Sequence, residues 1–201
     1  MKHATKLRLI TFVVFASLSA TAFGHPGHSH EVAVGGGLLA GFLHPLLGLD
    51  HLLAMVTVGL LSAQLGGRAR WAIPGSFLAC MMLGGLLGMN GFAFAGIEYG
   101  IAASLVVLGL AVAFRRSLHL AIPMAMAGLF GAFHGHAHGT EMPHIASPAL
   151  YAAGFVVATL GLHVCGLVVG SLTIHSARGV IAVRVAGAAI ALAGIWFVLS
   201  I

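Results

Sequence analysis

Four stretches of this chain, near residues 71–90, 97–114, 149–170 and 180–201, are almost wholly apolar and each about the length of a membrane span. A hydrocarbon core of roughly 30 Å is crossed by about 20 helical residues. Within lipid, every backbone N–H and C=O must be satisfied inside the spanning segment, so such stretches read as helices. The chain as a whole is 60% hydrophobic and 6% charged, where a soluble domain carries about 25% charged residues. These features predict an all-α integral membrane protein, with 201 residues leaving room for one domain and no appended soluble module.

Two further runs bring the expected number of transmembrane helices to six. The run 119–138 is apolar only as far as Phe133 and then enters FHGHAHGTE, where Gly135 and Gly139 weaken a helix. The run 32–65 is too long for one straight span and too short for two. His44-Pro45 and Gly48 interrupt it, so one long helix broken near its middle is expected. The first and fourth spans are therefore both expected to be interrupted. Small-residue spacings such as Gly37/Gly41 and Gly84/Gly88 suit close helix packing in lipid.

Lys2, Lys6 and Arg8 precede the apolar Leu9 to Ala22 and a group of small residues, the pattern of a cleaved signal peptide over residues 1–24. Cleavage after Gly24 or after Ala22 fits equally, and an uncleaved anchor is the competing possibility. The transmembrane domain would then be 25–201, with its N-terminus outside. Arg68, Arg70, Arg115, Arg116, Arg178 and Arg184 then all fall at the cytoplasmic ends of spans, as the positive-inside rule expects, and the C-terminus returns outside.

These nine basic residues form no patch interleaved with aromatics, which excludes nucleic acid as a partner. The chain contains no GxxxxGK[ST], so it does not itself hydrolyse ATP and no ATPase subunit is evident in it. HExxH is also absent, as is a CxxC pair, and Cys80 and Cys165 each sit within an apolar run as packing residues.

The four acids are Glu31, Asp50, Glu98 and Glu141, and none lies in a cytoplasmic connector. An acid within or at the edge of a span is costly enough to be a functional candidate. In HPLLGLDHL, His44 and His51 are seven residues apart and would share a face in a regular helix. Asp50 would project about 100° from His51 there, so Pro45 and Gly48 are expected to reshape the turn. In FHGHAHGTE, His134, His138 and Glu141 would share a face if the helix continues, with His136 on the other side.

Imidazole and carboxylate together suit a borderline divalent ion such as nickel, cobalt or zinc. Two clusters, each joining histidine to an acid, are hard to account for as packing. His163, alone in its span, is a weaker metal candidate and reads more readily as a packing residue than as a ligand. His25 and His28 in the HPGHSH tail are either a metal collector or a solvated tail. His136 is a ligand, a supporting group or merely solvated. The clusters occupy the first span of each half of three, and the halves must insert in opposite orientations. Interrupted segments at matching places are the usual pointer to a transporter's central site, here implying two inverted three-helix halves.

With H-x5-D-H at His44 to His51 and F-H-G-x-A-H-G-x-E at Phe133 to Glu141, the chain resembles the HupE/UreJ family of nickel/cobalt permeases. The resemblance covers the whole mature chain. It implies that His44, Asp50, His51, His134, His138 and Glu141 form the metal path, that Glu98 is the family's acidic position in the third span, and that His136 is variable. It also implies a multi-pass protein of the bacterial inner membrane importing metal toward hydrogenase, urease or cobalamin assembly. The function expected is therefore uptake of Ni2+ or Co2+ as substrate, with no prosthetic group and no enzymatic step. The competing possibilities are a metal sensor or chaperone without transport, a membrane metalloenzyme, and an exporter.

Overall fold

The computed structural model describes residues 36–114, 118–142 and 147–201. The expected signal peptide, His25, His28, Arg115 and Arg116 lie outside the described residues. Among the described residues seven helices follow one another: α1 Gly36–Leu47, α2 Leu49–Leu65, α3 Ala69–Met89, α4 Ile97–Phe114, α5 Ala121–Thr140, α6 Pro148–Thr173 and α7 Ala177–Ser200. There is no strand among the described residues. Helices α3, α4, α6 and α7 are each long and apolar enough to cross a membrane, and α1 with α2 raises the number to five if that bent pair is one span. Large apolar side chains such as Leu83, Val157, Leu192 and Trp196 cover their exposed faces. The chain is a multi-pass membrane protein.

The first span breaks where the sequence suggests, at Gly48, which adopts an extended backbone (φ −87°, ψ 112°) between helices that bend by 82°. Pro45 sits inside α1 and withholds one helical N–H. Asp50 then falls in the first turn of α2, where orphaned N–H groups and the positive helix end favour a carboxylate. Its Oδ1 accepts from the His51 backbone N–H at 2.8 Å.

The expected fourth span, α5, is not among the helices that are apolar enough to count as membrane-crossing, and it differs from expectation in a second way. It is not interrupted: α5 runs unbroken from Ala121 to Thr140 through all of FHGHAHGT. The glycines serve contact here rather than breakage. A Cβ on Gly131, Gly135 or Gly139 would collide with the backbones of Phe77, Met81 and Gly85 on α3, and one on Gly84 or Gly88 with those of Ala132 and His136 on α5. The two helices therefore touch backbone to backbone, side by side and running the same way. What each glycine costs in helix propensity is offset by this close approach.

The same device joins α2 to α6, where Gly59 meets the His163 carbonyl and Gly166 meets that of Val56. It joins α1 to α6 through Gly41 and Gly154, and α4 to α7 through Gly109 and Gly187. Gln64 Nε2 donates to Val112 O at 3.1 Å and Arg184 Nε to Ala113 O at 2.7 Å, so the end of α2, the end of α4 and the start of α7 lie together. Arg68 and Arg70 flank that same end of α2, beyond Gly66, whose positive φ of 67° closes the helix. Arg68, Arg70 and Arg184 thus gather at one end of the bundle and the histidine clusters at the other.

Gly135→Leu is expected to lower the stability of the detergent-solubilised chain by about 1–3 kcal/mol or prevent folding, because the added side chain has backbone in its way. Gly161, with open space around its Cβ position, is the control. Gly161→Ala should leave the thermal midpoint unchanged or raised.

Candidate metal centre

Three helix ends meet at the histidine clusters: the last turn of α1 with His44, the first turn of α2 with Asp50 and His51, and the last turns of α5 with His134 and His138. His44 and His51 do not share a face through seven-residue spacing, because the helix between them is broken. The 82° bend brings them together instead, and both rings touch His138, with centroids 4.6 and 4.3 Å away. His51 also meets His134 at 4.7 Å.

At the open end, His44 Nε2 donates to Glu141 Oε2 at 3.1 Å, with the two side chains 29% and 50% exposed. One ligand atom from each of His44, His138 and Glu141 falls within 4.8 Å of the others, a group able to hold a metal ion. Two helix C-termini, those of α1 and α5, converge here, and their negative dipole ends favour a cation. Glu141 itself caps α5, its N–H donating to Ala137 O at 3.0 Å.

Below this group the imidazoles are buried and their free nitrogens are defined by their neighbours. His51 Nδ1 donates to Asp50 Oδ1 at 2.7 Å, which leaves the lone pair on Nε2. Ser104 Oγ donates to Ile101 O at 2.6 Å, so His134 Nε2 donates in turn to Ser104 Oγ at 3.0 Å and keeps its lone pair on Nδ1. His51 Nε2, His134 Nδ1 and both nitrogens of His138 are buried without a hydrogen-bond partner among the described residues. Leaving such an atom without a partner costs about 1–3 kcal/mol, and these nitrogens converge on one cluster as a donor set for a ligand. Asp50 orients His51 as carboxylates orient metal-ligating histidines elsewhere.

Other candidates stand apart. His136 faces away from the cluster, donating through Nε2 to Phe92 O at 2.7 Å with Phe94 alongside. Glu98 is exposed in the first turn of α4 and is outside the His44, His138 and Glu141 group. His163 is buried on α6, and Phe77 packs against both it and His134. Four neighbours of the cluster were not anticipated: Ser104, Phe77, Tyr151 beside His44, and Phe155 against His138. Ser104 left a signal, as the lone hydroxyl in IAASLVVLGL, whereas the three aromatics are ordinary members of apolar runs.

The profile of the HupE / UreJ protein family matches residues 13–197. The chain belongs to the HupE/UreJ family. It is 42% identical over 181 residues to Protein HupE of Rhizobium leguminosarum bv. viciae, covering 90% of this chain and 94% of that one. No solved structure matches it. For this HupE/UreJ protein, both sequence motifs fall on the converging helix ends.

Because Asp50 holds the His51 tautomer, Asp50→Asn is expected to weaken Ni2+ binding to the purified full chain by about 10–100-fold. Isothermal titration calorimetry measures this. His136→Gln, on the opposite face of α5, should leave the affinity unchanged.

Proposed function

We propose that the chain is a permease that takes up Ni2+ or Co2+ through a His/Asp/Glu site formed by its first and fourth spans. The observation carrying this is the set of buried, unpartnered imidazole nitrogens on His51, His134 and His138 directly beneath the exposed His44 and Glu141 pair. An ion arriving at that pair meets nitrogen and oxygen donors suited to borderline divalent metals. It then finds lone pairs further in, with carboxylates to offset its charge. A sensor or an exposed chaperone needs only the outer group, whereas donors continuing into the bundle suit passage. The metal is the substrate in this reading.

Six spans agree with how α5 sits. Its polar end is sheltered by α3, along whose length it lies in the same direction, so α5 occupies the same slab although its own sequence is less apolar. Inverted halves agree with the pairing of helices. Exchanging the first span with the fourth and the second with the fifth turns the α2–α6 contact into the α5–α3 contact, both parallel. The α4–α7 contact, which maps onto itself, is antiparallel, with Gly109 on Gly187 and Gly194 on Leu105. Such a relation supports alternating access by movement of one half against the other. The arginine-bearing end is then cytoplasmic. A signal peptide at 1–24, a permease domain at 25–201, both mature termini outside and an inner-membrane location complete the proposal.

Uptake of radioactive Ni2+ or Co2+ into proteoliposomes tests it. Saturable uptake that falls at least tenfold in His44→Ala and His138→Ala is expected, and absence of saturable uptake by the folded wild-type chain would defeat the permease reading. The donors must be neutral imidazoles, so protons compete with the ion. Uptake at limiting metal should therefore fall as the outside pH is lowered, by up to about tenfold per unit for each proton displaced.

A further inference from the structure

The imidazoles of the cluster continue into a column of rings. His44, His138, His51 and His134 stand in contact at centroid distances of 4.6, 4.3 and 4.7 Å. Beyond His134 the next ring is Phe77 on α3, at 5.6 Å, and the ring after Phe77 is His163 on α6, at 5.2 Å and edge-on. The backbone of His163 lies against Gly59 of α2, eight residues and so about 12 Å further along that helix than His51. The column therefore runs inward from the exposed pair, with Phe77 against both the last histidine of the cluster and His163.

His163 is 2% exposed, and neither of its ring nitrogens has a hydrogen-bond partner among the described residues. Its surroundings do nothing to settle which nitrogen holds the proton. One turn earlier on the same face of α6, Thr159 Oγ1 lies 3.9 Å from Met81 Sδ, and Met81 is itself one turn beyond Phe77 on α3. A residue present only to fill space at such a position has no use for two buried polar atoms, and leucine would pack there without leaving them bare. Aligned with the column, with its lone pair unclaimed, the ring is placed to receive an ion that has passed Phe77.

We propose that His163 is an inner station of the metal path, taking the divalent ion from the His51 and His134 level once Phe77 swings aside and holding it before release toward the arginine-bearing end. This rests on the permease reading above. The step is ligand exchange only: imidazole nitrogens of His51 and His134 leave the ion and a His163 nitrogen joins it, with no change in oxidation state.

The test pairs equilibrium Ni2+ binding to the full chain in detergent with Ni2+ uptake into proteoliposomes, for His163→Leu, His163→Gln and His163→Cys. Expected are unchanged affinity at the outer group, uptake reduced at least tenfold in the Leu and Gln variants, and uptake within threefold of wild type in the Cys variant, whose thiolate can still ligate. Either of the first two suffices if the other fails to fold. Uptake within twofold of wild type in a folded Leu or Gln variant, most plainly with a raised thermal midpoint, makes His163 a packing residue and overturns the inference. If wild type transports and His44→Ala does not, that result leaves the permease reading standing. If wild type does not transport, both fall.

Discussion

The backbone of α5 rests directly on the backbone of α3, and the site depends on that contact. Glycines at 131, 135 and 139 on one helix and at 84 and 88 on the other remove every Cβ that would hold them apart. Lipid tails are as apolar as leucine, so burial of apolar surface does little to join helices in a membrane, and close van der Waals contact has to do it. Once the glycine stripe of α5 is committed to α3, helical geometry decides where its histidines go. His134 and His138 turn toward α2, and His136 turns toward Phe92. Two different environments for three nearby histidines thus follow from one packing face.

Buried polar groups in such a bundle are expensive, and the chain limits the cost by fixing each one locally. The break at Gly48 exposes a helix N-terminus, and Asp50 occupies it while also holding the His51 ring. Ser104 does the same for His134 from α4. What these supports leave over is a directed set of lone pairs, bordered by the C-terminal ends of α1 and α5. A cation satisfies both the lone pairs and the dipole ends, whereas water can donate to the lone pairs without offsetting the dipole ends and an anion satisfies neither. This is the physical basis for treating a metal ion as the substrate of this HupE/UreJ chain.

Much of this was legible in the sequence. Apolar run length against scarce charge announced the membrane class, and His44-Pro45 with Gly48 announced the broken first span. The separation of His136 from His134 and His138 followed from helical spacing alone. The reason His44 and His51 converge did not, because seven-residue spacing presumes a helix that Gly48 ends, and the 82° bend is a tertiary outcome. The glycines of FHGHAHG were misread as interruptions. Propensity measures a glycine's cost in an isolated helix and is blind to a partner backbone that requires its absence of side chain. Phe77, Tyr151 and Phe155 left no trace, since an aromatic lining a site and one facing lipid look alike in an apolar run.

The central claim is that imidazoles from the first and fourth spans meet on one ion. X-ray absorption at the nickel edge of the Ni2+-loaded full chain counts those imidazoles directly. At least two are predicted in the wild-type protein, with at least one lost in His138→Ala, the residue touching both His44 and His51. A nickel ion surrounded by oxygen ligands alone, unchanged by that substitution, would contradict the account.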